Sequence, residues 1–488
     1  MKLTRRLLFV TLLVSICLIA SQFVSAQTLY DDFSGSFIDN NKWNQSEFVR
    51  EVTNGQLASK ITTESGTPRN RTRIQNAGAV FAIQADVTVV ETSLTNGDGF
   101  ARIEGTFYNS QPAGGVTGDI WAAVKIIDEG NGLSATYEVN EALDDDWSNY
   151  NIPAEGEIAS SLNYGQVYTV KIEYDEGENK FTFTVGTDSV EVDDTTLPAN
   201  LRADVGEFSS LTTGINDAVS GVNFVSALFD NVYINNEASA YDMFDSPLDA
   251  RWRDNETVRE IENGRARLNA QGVDERAQTT LSLTDSDASL VQAKVRIESD
   301  SILSAGATGI FRIQGYFYNE SRGPGSGLDY NAYEGDVFGQ LRIELEDDGT
   351  LRARAMVDRS DDADENNYTL RLSQDFLTGI NLDTDYTVSI EYTGTALIFK
   401  CNDETITYTI TTNQYTPYGE HRSLRSRVYL DPGESGYLKT SVDEVYVEGT
   451  GGGDGGDGDD GGDGGDSGDD DGDGGGSDSG LCFMNTIK

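Results

Sequence analysis

Short runs in which apolar and polar residues alternate recur along the whole chain and predict β-strands. Val, Ile, Thr, Tyr and Phe dominate these runs, and clusters of Gly, Asn and Asp separate them. Clear examples are residues 81–90, 100–108, 120–127 and 168–174. Successive side chains of a strand point to opposite sides, so each run can bury one side and expose the other. Helical periodicity is hard to find, and the pattern therefore predicts an antiparallel all-β fold.

The same order of segments occurs twice. An opening at residues 30–33, followed by Trp43, returns at residues 241–244, followed by Trp252. Further matches join 102–109 with 312–319, 168–174 with 386–392, and 230–234 with 443–447. A period of about 210 residues is too long for a solenoid unit. We therefore predict two tandem β-sandwich domains, at 27–236 and 240–450.

The first 26 residues have the pattern of a secretory signal peptide. Lys2, Arg5 and Arg6 precede the apolar run 7–20, and small residues follow at 24–26. No later run is long and apolar enough to span a bilayer. The sequence predicts a secreted, extracellular protein whose mature chain has no transmembrane segment.

The chain is strongly acidic. It has 35 Lys and Arg against 82 Asp and Glu, a formal net charge of −47. A surface of this sign repels nucleic acid and anionic membranes, so neither is expected as a partner. The three Cys cannot make a disulfide framework. Cys401 lies in an alternating apolar run and is expected to be buried.

Near its C-terminus the chain changes character. Residues 451–480 are only Gly, Asp and Ser, a composition that predicts a disordered linker. The last segment, 481–488, is short and apolar and contains Cys482. It is similar to the Cys-Phe endings of some secreted bacterial proteins, which suggests attachment at the cell surface. A frayed chain end is the alternative.

The opening Asp-Asp-Phe with a following Trp, the many short strands and the closing Asp-Asn-Val-Tyr-Ile strand resemble the concanavalin A-like lectin/glucanase superfamily. That superfamily includes laminin G-like domains and family 16 glycoside hydrolases. The resemblance covers 28–236 and again 240–448. It implies two jelly-roll-like sandwiches, each with a concave sheet that binds glycan. Because fold does not settle function, the residues themselves must supply the site.

Strand alternation lets that concave face be proposed from the residues. Outward side chains in the middle strands mix aromatic rings with Arg, Glu and Gln, which suits a sugar that has an apolar face and hydroxyl groups. In the first copy they are Arg102, Glu104, Tyr108 and Trp121. In the second copy they are Arg312, Gln314, Tyr316, Tyr318, Phe338 and Arg342. An ordinary solvated β-face with cross-strand pairs is the alternative.

Other aromatic residues fit less well as sugar contacts. Trp43 and Trp252 recur at matching positions and are interpreted as core anchors of the opening strands, with sugar platforms as the alternative. Trp147 lies in an acidic loop and is a weaker candidate for a contact at the rim.

Catalysis is the main functional alternative. Glu173, Asp175 and Glu178 fit the Glu-x-Asp-x-x-Glu spacing of family 16 retaining hydrolases, which need two carboxyls about 5 Å apart. Their position at a predicted hairpin tip disfavours that role. Lyases of the superfamily use His with Tyr or Arg, but the single His421 cannot serve two domains. It lies in the basic segment 420–427, expected as a loop that forms ion pairs or meets an anionic sugar.

Calcium is the one cofactor that the sequence suggests. Hard oxygen ligands are abundant, and an ion that ties the first strand of a sandwich to its last would use Asp32 with Asp230, and Asp242 with Asp443. Solvated surface acids are the alternative. The sequence as a whole predicts a secreted, non-catalytic protein that binds polysaccharide or cell-surface glycan. A glycoside hydrolase or polysaccharide lyase, and a structural surface or matrix protein, are the other two readings.

Overall fold

The computed structural model describes residues 27–75, 78–109, 116–144, 149–193, 208–285, 287–321, 332–377, 379–419 and 422–448. Within these ranges no residue lies in a helix, and the strands pair in antiparallel fashion. The predicted all-β fold is confirmed. No helix that could cross a membrane occurs in the same ranges. The predicted signal peptide and the predicted tail lie outside the described residues.

The first half of the sequence holds fourteen strands. They are β1 (Thr28–Asp31), β2 (Phe48–Thr53), β3 (Gln56–Thr63), β4 (Arg69–Arg73), β5 (Ala82–Ser93), β6 (Asp98–Asn109), β7 (Asp119–Asp128), β8 (Leu133–Ala142), β9 (Tyr150–Leu162), β10 (Tyr168–Asp175), β11 (Lys180–Val185), β12 (Asp188–Asp193), β13 (Ser209–Asn216) and β14 (Asn223–Ile234).

The strands of the second half follow a similar order. They are β15 (Thr257–Glu262), β16 (Arg265–Val273), β17 (Ala277–Ser282), β18 (Leu290–Ile297), β19 (Ile302–Leu303), β20 (Thr308–Asn319), β21 (Asp336–Glu346), β22 (Leu351–Ser360), β23 (Tyr368–Asp375), β24 (Tyr386–Tyr392), β25 (Ala396–Cys401), β26 (Glu404–Thr409), β27 (Ser423–Tyr429), β28 (Ser435–Leu438) and β29 (Thr440–Glu448).

Each half contributes one six-stranded sheet, which we call its front sheet. The strand order is β4-β13-β6-β7-β8-β9 in the first half and β17-β27-β20-β21-β22-β23 in the second. Segments that match in sequence occupy matching places, since β6 corresponds to β20 and β7 to β21.

The remaining strands form one back sheet that continues through both halves. In the first half, neighbours follow the order β12, β11, β10, β5, β14, β3, β2. In the second half the order is β15, β16, β29, β18, β24, β25, β26. β2 and β15 join the two halves, with Val49 opposite Val258. These two valines are equivalent in the repeat, so the contact has the form of a two-fold symmetric interface.

Front and back sheets pack face to face around one core in each half. Phe183 of the back sheet stacks on Tyr137 of the front sheet at 4.8 Å between ring centroids in the first core. In the second core, Tyr392 of the back sheet stacks on Tyr318 of the front sheet. The architecture is a jelly-roll-like sandwich in each half, as the alternating runs predict. Cys401 is fully buried in the second core, as its sequence context predicts.

The two opening segments are exchanged between the halves. β1 pairs with β29, the last strand of the second half, and Phe33 and Trp43 belong to the second core. Conversely, Phe244 and Trp252 belong to the first core. We therefore call β2–β14 with residues 241–256 the first sandwich, and β15–β29 with residues 28–47 the second sandwich.

The exchanged segments have the same internal geometry. The indole Nε1 of Trp43 donates to Asp31 at 2.7 Å, and that of Trp252 donates to Asp242 at 2.7 Å. Each indole also stacks on the phenylalanine of its own opening segment. Trp43 and Trp252 are both buried, at 0 % and 4 % exposure, as the sequence predicts for core anchors. What the sequence did not predict is that each anchors the core of the opposite half.

Matched arginines hold the junction of the halves. Arg50 Nε donates to the carbonyl of Asn255 at 2.7 Å, and Arg259 Nε donates to the carbonyl of Ser46 at 2.7 Å. Both arginines are thus tied to the backbone of the other half at equivalent points. The same contact therefore occurs twice, once on each side of the Val49–Val258 pair.

Candidate ligand-binding faces

The outer side of each front sheet, which we call its front face, carries polar side chains that are mostly buried. In the first sandwich, Arg102 on β6 is 7 % exposed and its Nη2 lies 2.6 Å from Glu104 Oε2. The ring of Trp121 on β7 is partly exposed, and the Arg102 guanidinium carbon lies 5.1 Å from its centroid. Arg102, Glu104 and Trp121 therefore share one face, as strand alternation predicts.

The placement predicted for Tyr108 and Tyr318 is wrong. Both belong to the cores, where Tyr108 stacks on Tyr174 at 4.6 Å and Tyr318 stacks on Tyr392 at 6.0 Å. The cause is a β-bulge, because the register shifts between Thr106 and Tyr108 and again at the matching point of the second sandwich. An extra residue in the strand reverses the alternation beyond it.

The front face of the first sandwich neutralises its own charge. The carboxylate of Glu104 accepts hydrogen bonds from Ser210 Oγ at 2.8 Å and Thr212 Oγ1 at 2.5 Å, besides its ion pair with Arg102. Burial alone would raise the pKa of Glu104. The guanidinium groups of Arg102 and Arg71 and the two hydroxyls outweigh burial and lower that pKa. Glu104 is therefore a fixed anion that compensates Arg102.

A second ion pair continues this pattern. Lys125 Nζ on β7 lies 2.6 Å from Glu138 Oε2 on β8. Trp121 is thus a partly exposed ring among side chains that are already paired with each other.

The front face of the second sandwich is arranged differently. Arg312 on β20 is 1 % exposed, and its Nη1 donates to Gln340 Oε1 at 3.1 Å. The same amide oxygen accepts from Arg342 Nε at 2.8 Å. Gln314, which follows on the same side of β20, is 6 % exposed. The predicted residues Arg312, Gln314 and Arg342 therefore share this face.

Tyr316 and Phe338 also lie on the front side, but beneath other side chains. Their exposures are 5 % and 2 %, their ring centroids are 4.8 Å apart, and Tyr333 packs 5.5 Å from Tyr316. The hydroxyl of Tyr316 donates to Glu365. Neither ring is a surface platform in this conformation. Tyr418 is 44 % exposed, and the centroid of its ring lies 4.8 Å from that of Tyr333. Tyr418 is therefore the more exposed aromatic residue of this group.

The sequence missed two members of this face. Arg427 and Tyr429 lie on β27, in a segment that was expected to begin as a basic loop but forms a central strand. Arg427 is 1 % exposed, and its Nη1 donates to Tyr429 Oη at 3.0 Å. Leu424 and Val428 alternate with these residues and point into the core, which is the signal that could have identified the strand. His421 and Trp147 lie outside the described residues.

The concentration of arginines changes the acidity of Tyr429. Burial alone would raise the pKa of its phenol, but Arg312, Arg427 and Arg342 outweigh burial and lower the pKa to about 7. The local potential at Tyr429 is therefore positive, in contrast to the net charge of the chain.

Glu173, Asp175 and Glu178 do not come together on a front face. They lie on β10 and the turn to β11, in the back sheet. Lys171 Nζ lies 2.5 Å from Glu173, and this hydrogen bond lowers the pKa of Glu173. Asp175 accepts from the amides of Gly177 and Glu178 and so stabilises the turn. Their position in the back sheet, away from the front faces, disfavours the catalytic role that their spacing suggests.

The predicted calcium pairs do not form either, because the opening segments are exchanged. Asp32 follows β1 and so lies beside β29, whereas Asp230 belongs to β14 of the other sandwich. Asp242 pairs with Val232 in the first sandwich, whereas Asp443 lies in the second and contacts Arg265 at 3.6 Å. In the described ranges no group of three or more His, Cys, Asp or Glu could hold a metal ion. The residues named for calcium therefore do not fit a shared ion.

A cleft of about 770 Å³ lies where the parts of the back sheet that belong to the two sandwiches meet. Its charged lining is already paired, since Arg267 contacts Glu51 at 2.7 Å and Lys439 contacts Asp300 at 2.8 Å. The sequence could not predict this cleft, because it depends on how the halves are joined.

Comparisons with known proteins match the chain only at the level of structure. No protein-family model and no curated protein matches it. LamAcat of Zobellia galactanivorans is 15% identical, with a TM-score of 0.25 over 39% of this chain and 79% of that one. A GH16 protein of Bacteroides ovatus, in complex with a mixed-linkage glucan product, is 8% identical, with a TM-score of 0.26 over 39% and 84%.

A third structure of the same kind is the kappa-carrageenase of Pseudoalteromonas carrageenovora. It is 11% identical, with a TM-score of 0.24 over 43% of this chain and 97% of that one. The GH16 match belongs to the glycoside hydrolase family named in the sequence prediction. These identities and scores are too low to carry an argument about activity, and the fold assignment rests on the strand pairing itself.

Proposed function

We propose that the protein binds polysaccharide through its front faces and does not cleave it. The observation that carries this proposal is the partly exposed ring of Trp121 above the buried Arg102, with charged side chains fixed beside it. A pyranose ring stacks its apolar face on an indole, while its hydroxyls bond to fixed polar groups at the edge. Such a surface combines both requirements.

Rigidity supports this reading. Glu104 is held by two hydroxyl donors and a guanidinium, so its oxygens are oriented before any ligand arrives. Preorganised polar groups lose little entropy when they bind, which favours binding by a rigid sheet surface. The arrangement around Trp121 therefore suits recognition of a ligand by a preformed surface.

The proposed setting is extracellular. The predicted signal peptide supports secretion, and the acidic tail is proposed to hold the protein at the cell surface. A glycan outside the cell is the partner that fits both.

Binding is tested with residues 27–450 by affinity electrophoresis in gels that contain one polysaccharide each, followed by calorimetry on any that retard the protein. Trp121→Ala is expected to weaken binding of the retained polysaccharide about tenfold, if a sugar ring gains from an aromatic side chain about what a stacked nucleic-acid base gains, about 1–3 kcal/mol. Leu377→Ala is the control, since that side chain is 94 % exposed in the other sandwich. Unchanged affinity in a folded Trp121→Ala variant would contradict the proposal.

Cleavage is tested on the same polysaccharides. Release of reducing ends, or of unsaturated products that absorb in the ultraviolet, would replace the binding proposal with a hydrolase or a lyase. A parallel assay of Glu173→Gln shows whether any such activity depends on the carboxylate that the sequence singled out.

A further inference from the structure

The two front faces differ at one position in a way that changes their charge. Glu104 in the first sandwich corresponds to Gln314 in the second, while Arg102 corresponds to Arg312. Arg102 has a carboxylate at 2.6 Å. Arg312 faces the side-chain amide of Gln340 instead, so it lacks the directly paired carboxylate that Arg102 has.

Two more arginines increase this difference. Arg425 lies opposite Arg312 in the sheet, where the first sandwich has Thr212 opposite Arg102. Arg427 occupies the next outward position, where the first sandwich has glycine. Among the residues that the structure describes, neither Arg312 nor Arg427 has a carboxylate oxygen within 4.0 Å.

Carboxylates are present on this face, but they pair elsewhere. Glu344 contacts Arg352 at 2.5 Å, and Asp375 contacts Arg354 at 2.6 Å. These pairs lie on the side of β21–β23, away from β27. A third carboxylate, that of Asp358, is 2 % exposed and accepts from Gln340 Nε2 at 3.0 Å, so it is linked to Arg312 through that amide side chain. Within the described ranges, Arg312 and Arg427 therefore have no carboxylate in direct contact.

The free atoms of Arg312 form a defined edge. Gln340 accepts from Nη1, whereas Nε and Nη2 are buried without a hydrogen-bond partner. The N–H groups of these two nitrogens lie along the same edge of the planar guanidinium and are a pair that can bind a carboxylate or sulfate by two parallel hydrogen bonds. Burial of unpaired guanidinium N–H groups is costly, so a partner for this edge would be stabilising.

We propose that the front face of the second sandwich binds an anionic group of the polysaccharide, a carboxylate or a sulfate, at the Nε–Nη2 edge of Arg312 beside Arg427. This inference rests on the proposed function and assigns the anionic ligand to one face only. The first sandwich does not bind the anion, because the equivalent guanidinium, that of Arg102, already forms an ion pair with Glu104. Arg312 is 1 % exposed, so binding at its edge requires neighbouring side chains to move; the partly exposed Arg425 lies opposite it in the sheet.

Tyr429 is consistent with this assignment. Its phenol oxygen accepts a hydrogen bond from Arg427 Nη1 at 3.0 Å, and three arginines lower its pKa to about 7. The arginines that favour the tyrosinate form would favour an anionic group of a ligand for the same electrostatic reason.

The test compares polysaccharides that differ only in charge. Polygalacturonate and its methyl ester give the carboxylate comparison, and dextran sulfate and dextran give the sulfate comparison. Calorimetry of residues 27–450 at about 0.15 M salt limits long-range effects to about 8 Å. The expected result is binding of at least one anionic member of these pairs about tenfold or more tighter than its neutral counterpart.

Three variants locate the anion. Gln314→Glu places next to Arg312 the carboxylate that the first sandwich has, and it is expected to reduce affinity for the anionic polysaccharide about tenfold or more. Arg312→Gln is expected to do the same. Gln292→Glu adds the same charge to the back sheet of the same sandwich and is expected to change affinity less than twofold.

The outcomes separate the two proposals. If the neutral polysaccharides bind and depend on Trp121 while the anionic ones bind no tighter, the anion assignment is wrong and the proposed function stands. If anionic binding is tighter but survives Gln314→Glu and Arg312→Gln in folded variants, the assignment to Arg312 is wrong. If no polysaccharide binds the wild-type protein, both fail.

Discussion

Replacing Trp43 with alanine is expected to destabilise the second sandwich, although Trp43 belongs to the first half of the sequence. The side chain is 0 % exposed and lies in the second core. Its indole stacks on Phe33 at 5.8 Å and meets Tyr30 edge-on at 5.4 Å. Removing it leaves a large cavity at the end of that sandwich.

The size of the effect follows from burial and from one hydrogen bond. Replacing a buried Trp with Ala costs about 3–5 kcal/mol. Asp31 also loses the indole donor at 2.7 Å, so a value near the upper end is expected. Since 1.4 kcal/mol corresponds to a factor of ten, amides that exchange by unfolding of the second sandwich should exchange about a hundredfold faster or more.

Hydrogen–deuterium exchange read by mass spectrometry provides the assay, with Trp252→Ala as the matched variant. Peptides that contain β18 and β24 report on the second sandwich, and peptides that contain β5 and β10 report on the first. Trp43→Ala should accelerate the second group more than the first, and Trp252→Ala should do the reverse. The exchanged arrangement is refuted if both variants give the same ratio, or if the two ratios are inverted.

Three further predictions concern single titratable groups. The pKa of Tyr429, lowered from 10.0 to about 7, makes stability rise as pH increases from about 7 to 10, and Tyr429→Phe should remove that rise in urea-unfolding measurements. Burial raises the pKa of Glu256 from 4.5 to about 7, so the free energy of unfolding should fall as pH increases from about 4.5 to 7. Glu256→Gln should flatten this slope. The control Glu47→Gln removes the ion pair with Lys60 and should lower the free energy of unfolding across this pH range. Cys401, whose pKa burial raises to about 11, should react with a thiol reagent only on unfolding, measured in a Cys482→Ser background.

Strand alternation predicted which side chains lie on the front faces wherever the strands are regular. Arg102, Trp121 and Arg342 lie where the pattern puts them, because a period of two follows directly from backbone geometry. The bulge in β6 was not predicted, since a register shift is set by pairing with β7 and not by the strand itself. Phe107 and Tyr108 are adjacent and both suit a core, and this pair is the only sign of the bulge in the local sequence.

The charge difference between the two front faces was visible in the sequence but could not be interpreted there. When the two repeats are aligned, Gln314 simply stands at the position where the first repeat has Glu104. Its meaning depends on which guanidinium lies beside it, and on whether another strand supplies a carboxylate instead. That information comes from β27, which lies between β17 and β20 in the sheet. The basic composition of the segment had suggested a loop instead of a strand.

The exchange of opening segments follows from the short connection between the halves. β14 ends at Ile234, and Asp242 already pairs with Val232, so the run 235–240 only turns the chain back on the strand it has just left. The opening segment of the second repeat therefore fills the place at the end of the first core. Only residues 28–47 remain to fill the equivalent place in the second core, and β2 beside β15 puts them within reach. The internal geometry of an opening segment is closely similar in either position, because its Asp–Trp contact is local. Sequence similarity between the repeats thus predicts the shape of each segment, while the length of the connection decides which sandwich receives it.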